Sequence, residues 1–66
     1  MGTHDVTLYI YDMDDLLLVA TVVGCKDDCD VVAQSYDPGI YGWTYSPVWG
    51  GDDGLIDNPH SKTIIA

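Results

Sequence analysis

Arginine, glutamate and phenylalanine are absent from this 66-residue sequence, and lysine occurs only at Lys26 and Lys62. Proteins hold DNA and RNA by placing Lys and Arg against phosphates, which releases condensed counterions. A chain with two cations has no such means, so direct nucleic-acid binding is excluded. The stretch 1–5 lacks the basic region of a signal peptide, and the apolar run 16–23 is too short to span a bilayer. Val6 stands where a myristoylation pattern requires Ser or Thr. The expectation is a protein that stays in the cytoplasm where it is made, has no membrane partner, and keeps Cys25 and Cys29 as free thiols in a reducing compartment.

What is present is apolar and acidic. Hydrophobic residues make up 47% of the chain, with five Tyr and two Trp, far more than a disordered acidic tail carries, so a packed core is expected. A chain of this size buries only about 60% of the surface it exposes when unfolded, which makes for one thin-cored domain spanning residues 1–66, expected to be monomeric. All eleven acids are Asp, and the net charge is −9. Self-repulsion of that size opposes folding, while the same field attracts a partner with a basic groove. Asp carries its carboxylate one carbon from Cβ, closer to the backbone than Glu does, and so fixes the charge better. Preference for caps and turns, solubility and salt adaptation are the plainer reasons for such a composition.

Periodicity predicts the elements. Residues 6–11 alternate, Val6, Leu8 and Ile10 against Thr7, Tyr9 and Tyr11, as in a half-buried strand. Asp12-Met13-Asp14-Asp15 reads as a turn, and the β-branched run 16–23 as a buried second strand. After Gly24 the spacing Cys25, Cys29, Val32, Ala33, Tyr36 forms one helical face, with Asp27, Asp28 and Asp30 at the positive end of the helix dipole. Pro38 and Gly39 end that helix. Residues 40–45 return to a period of two, with Tyr41, Trp43 and Tyr45 on one side. Gly42 leaves a gap expected to admit the helix backbone, and Pro47 marks the strand's end. Residues 50–59 are a Gly- and Asp-rich loop, and 63–65 can add a terminal strand. The fold class expected is α+β: a small antiparallel or mixed sheet of three to four strands in β-β-α-β order, with one short helix on a face.

Catalytic chemistry finds little support. His4 and His60 sit among polar residues near the termini and are expected to be exposed and non-catalytic. No carboxylate pair is set apart by an apolar environment that would split its pKa values. Cys25 and Cys29 lack the paired histidines of a zinc site and read as small core residues. Placing Gly54 at the sixth position of a calcium loop puts Trp49 and Gly51 where carboxylates are needed. An enzyme is not expected, nor a cofactor or a bound metal.

The acids fall into three clusters: Asp12, Asp14 and Asp15; Asp27, Asp28 and Asp30; and Asp52, Asp53 and Asp57. On an extended segment, Asp12 and Asp14 would project from one face about 6.6–6.8 Å apart, a row of fixed charge suited to a groove built for phosphates. The nine are the candidate partner-binding residues, with aromatic anchors drawn from Tyr9, Tyr11, Tyr41, Tyr45 and Trp49 and with Trp43 assigned to the core. The function expected is inhibition of a basic, nucleic-acid-binding protein by imitation of DNA charge. In its length, these Asp clusters, the strand-strand-helix-strand order and the segment Tyr36-Asp37-Pro38-Gly39-Ile40-Tyr41-Gly42-Trp43-Thr44-Tyr45-Ser46-Pro47, the chain resembles the small acidic anti-CRISPR proteins of phages and mobile elements. That resemblance implies a type I, Cascade-type surveillance complex as partner, a bacterial host cytoplasm, and blocked DNA recognition as the effect. The alternative is a small phage structural, accessory or toxin-neutralising interaction module whose acidity serves solubility.

Overall fold

The computed structural model describes residues 5–66; the expected exposure of His4 concerns a residue outside the described residues. The chain folds as strand β1 (Val6–Asp12), strand β2 (Leu18–Gly24), helix α1 (Lys26–Gln34), strand β3 (Tyr41–Thr44) and strand β4 (Lys62–Ile65). This is an α+β architecture: a four-stranded mixed sheet in the order β3-β1-β2-β4, with β1 antiparallel to both β2 and β3, and β4 parallel to β2. The β-branched, apolar β2 is a central strand, paired on both edges, with its residues alternately buried and half-buried. Leading from β2 through α1 to β3, the chain steps over β1, which fills the space between them.

The alternation in β1 divides the sheet into two faces. Leu8 and Ile10, with Ala20 and Val22 opposite them, meet Cys29 and Ala33 of α1 in a core that also gathers Val6, Val19, Val32, Tyr36, Tyr41, Tyr45 and Ile64. Thr7, Tyr9 and Tyr11 point to the other, open face. Register shifts at the pair Ile10/Tyr11, where Tyr11 opposes Leu18 while Ile10 opposes Ala20. Such a bulge gives β2 one residue more than β1 opposes. Val19 and Ala20 therefore both serve the helix-side core, and Leu18 turns to the open face. The connection 45–61 crosses that face. It buries Leu55 and sets Trp49 edge-on to Tyr9, with ring centroids 5.5 Å apart and planes at 86°.

Local chemistry explains the joints. The hairpin closes with the Asp14 N–H donating to Asp12 Oδ1 (2.8 Å) and with Leu16 at φ 58°, so residue 16 belongs to the turn and β2 begins at Leu18. Cys25, in extended geometry, precedes the first helical residue. The Asp37 carboxylate accepts from the Gly39 N–H (2.9 Å), and the Asp37 carbonyl from Ile40 and Tyr41, folding the chain back into β3.

Two expectations about β3 are corrected. Trp43 is not in the core: on β3, an edge strand, it is 50% exposed and packs edge-on to Tyr45. Gly42 does not admit the helix. A Cβ there would lie 2.6 Å from the Tyr11 ring, so the gap on the open face is filled by the cross-strand tyrosine. Among the described residues no helix is long and apolar enough to cross a membrane.

Candidate acidic interaction surface

Strand geometry separates the acidic clusters. Asp12, Asp14 and Asp15 lie at the hairpin end of the sheet. Asp27, Asp28 and Asp30 sit where α1 starts, beyond Gly24, which pairs with Val6 at the opposite end. Seven residues of β1 at about 3.3 Å each put roughly 20 Å between the two ends. The row expected from Asp12 and Asp14 does not form, since that segment is a turn and Asp12 is committed to the Asp14 N–H. Asp37 joins the hairpin end instead, through the Met13 N–H donating to the Ile40 carbonyl (3.0 Å).

Asp30 is the most engaged of the nine candidates. Its carboxylate accepts from the Tyr45 hydroxyl (2.7 Å) and from Lys26 Nζ (3.1 Å), while the same ammonium lies 5.5 Å from the centre of the Tyr45 ring. The Tyr45 hydrogen bond, then Lys26, hold the Asp30 carboxyl below its ordinary value. Tyr45 is pushed the other way, to about 12, by desolvation first and then by its hydrogen bond to and charge repulsion from Asp30. Cys29, buried against Val22 with its thiol 3.8 Å from the Val22 carbonyl, is raised by desolvation first and next by Asp28 and Asp30. The expectation of two core cysteines holds for Cys29; Cys25 is only half-buried.

Asp14, Asp15, Asp27, Asp28, Asp52, Asp53 and Asp57 are exposed, and their carboxylates have no hydrogen-bond or ion-pair partner among the described residues. The third cluster rests on an ordered turn. Val48 and Gly50 bond the backbone of Leu55 (2.7 and 3.1 Å), Gly50 and Gly51 take φ of 77° and 74°, and a Cβ on Gly54 would overlap the Gly50 carbonyl. The left-handed backbone favours glycine at Gly50 and Gly51, and Gly54 has no room for a side chain. Ile56 is tied to Leu16 and Leu18 by backbone bonds (2.8 and 2.9 Å), and the Asn58 side chain donates to the Leu18 carbonyl (3.1 Å). Those ties hold the backbone on either side of Asp57 against the start of β2.

Two shallow depressions flank Tyr9. One, of about 490 Å³, is lined by Tyr9, Leu18, Thr21, Trp49, Asp57 and Ser61. The other, of about 530 Å³, includes Lys26 and Tyr45 in its lining. Of the expected aromatic anchors, Trp49 is exposed (46%), and Tyr9, Tyr11, Tyr41 and Tyr45 are half-buried. No cluster of three or more His, Cys, Asp or Glu side chains suited to a metal ion occurs among the described residues. Comparison with protein-family models, with characterised proteins and with solved structures finds no match.

Proposed function

We propose that this domain binds a basic, nucleic-acid-binding protein in competition with its nucleic acid. The observation that carries the reading is that seven of the nine candidate carboxylates are exposed and unpartnered, under a net charge of −9. Carried on turns and on the first turn of α1, those charges speed association with a basic groove and make charge-assisted hydrogen bonds to its Lys and Arg. The resemblance to small acidic anti-CRISPR proteins makes a type I surveillance complex the first partner to try, with blocked DNA recognition as the effect.

The test is a tagged pull-down from a bacterial lysate containing such complexes, repeated with added duplex DNA and at raised salt. Displacement of a recovered DNA-binding complex by both treatments supports the reading. Charge reversal at Asp27 and Asp28, or at Asp14 and Asp15, is then expected to weaken binding with the circular dichroism spectrum unchanged; indifference to both reversals overturns it. A second reading has its own observation, the exposed apolar side chains Ile40, Trp43, Val48 and Ile56. An interaction module of phage structural or toxin-neutralising type would use them, and its complex would persist through DNA and salt.

A further inference from the structure

The chain fills one aromatic–carboxylate corner with its own cation. Lys26 Nζ lies 5.5 Å from the centre of the Tyr45 ring and 3.1 Å from Asp30 Oδ2, so a π face and a carboxylate hold one ammonium between them. The open face carries a second corner that also joins aromatic rings to a carboxylate. Tyr9 and Trp49 stand at 86° with centroids 5.5 Å apart, and with Asp57 they line the depression of about 490 Å³. Neither lysine lines it. Lys26 belongs to the first corner, and Lys62 shares the sheet face of Ile64, which packs against the helix-side core.

We propose that this second corner receives one basic side chain of a protein partner, an arginine in preference to a lysine. Both rings line the depression, and Trp is the strongest aromatic host for a cation. The Asp57 carboxylate supplies the opposite charge, and the hydroxyls of Thr21 and Ser61 line the same space as further acceptors. A planar guanidinium with five N–H donors can stack on an indole and use several acceptors at once, which a compact ammonium cannot. The corner is built before any ligand arrives: the Gly50-to-Leu55 turn fixes Trp49, and the Asn58–Leu18 bond fixes the backbone beside Asp57. Charge complementarity selects the occupant, because a cation entering a field of −9 is drawn in where a second copy of the chain would be repelled.

This inference deepens the proposed function, and its test requires no partner protein. N-acetyl-arginine amide, at constant ionic strength, is titrated into the full chain while the two indole N–H resonances are followed. The expected result is a saturable shift of the Trp49 indole, with Trp43 nearly still, and a several-fold weaker response to the uncharged citrulline analogue. Asp57→Asn and Tyr9→Leu should each weaken the fitted affinity about three- to ten-fold, and Asp5→Asn, which removes one exposed charge at the far end of the sheet, should leave it within two-fold. Equal movement of both indoles, an equal response to citrulline, or an equal loss in the Asp5→Asn variant would show diffuse charge attraction and overturn the proposal. Arginine binding without recovery of any basic partner would sink the proposed function and leave the corner standing; the converse result would remove only the corner.

Discussion

Tyr45 and Asp30 regulate one another across the gap between β3 and α1. The phenol donates to the carboxylate, so Asp30 is held low and Tyr45 is raised to about 12. A tyrosine whose folded pKa exceeds its ordinary 10 contributes stability that is fully present below pH 10 and lost as pH rises through about 12. Asp30, with a lowered folded pKa, contributes stability that is present above its ordinary 3.8 and lost as pH falls through the lower folded value. Tyr45→Phe should therefore lower the melting temperature near neutral pH and remove the alkaline loss between pH 10 and 12. In spectrophotometric titration it should delete a phenol that ionises near pH 12. An unchanged alkaline limb in that variant would show that the pair does not couple to folding. The thiols give a second check at this scale. In the native protein iodoacetamide should modify Cys25 and spare Cys29, whose zero exposure and raised pKa both oppose thiolate attack. Equal rates at the two would mean that α1 opens easily from the sheet.

The elements owe their order to signals of unequal reach. β1 and α1 are legible from their own periodicity, Val6, Leu8 and Ile10 by twos and Cys29, Val32, Ala33 and Tyr36 by the helical repeat, and β2 from a β-branched apolar run too short for a helix. What sequence could not carry was position within the sheet. The exposure of Trp43 follows from β3 being an edge, and the packing of Gly42 follows from its register with Tyr11, neither of which is written in residues 40–45. The same limit applies to the acids. Three clusters are plain, but the sequence could not show that two of them lie at opposite ends of the sheet, or that Ile56, beside Asp57, is bonded to Leu16 and Leu18 at the start of β2. Residues 50–59, read as loop, form a turn as demanding as any strand. Gly54→Ala, which drives a methyl into the Gly50 carbonyl, should cost about 1–3 kcal/mol by overpacking. It should also loosen Trp49 from Tyr9, seen as a red shift of tryptophan emission and a loss of arginine response. Gly51→Ala meets no neighbour and should cost only about 1–2 kcal/mol, for its left-handed backbone.

Across the whole molecule, charge opposes folding and favours binding at the same time. All eleven Asp and both Lys lie within the described residues, so the net charge of −9 is spread over a body whose longest extent is 40 Å, about one charge per 4.4 Å. A single nucleic-acid strand carries about one per 3.4 Å and a duplex about one per 1.7 Å. The domain thus approaches the linear charge density of one strand and falls well short of a duplex. Lys26–Asp30 is the only ion pair among the described residues, exposed and spaced i, i+4, and such pairs offset little repulsion. Raising sodium chloride from about 10 mM to 500 mM shortens the Debye length from roughly 30 Å to a few ångströms. The melting temperature should therefore rise with salt while affinity for a basic partner falls. The fall should be shallower than for the same partner on duplex DNA, because fewer and more widely spaced charges release fewer counterions. Calorimetry and a salt series of binding constants measure the two trends on one sample. A melting temperature indifferent to salt would mean that the carboxylates are too far apart to repel one another, and an affinity indifferent to salt would mean that apolar contacts through side chains such as Trp43 and Val48 carry the complex.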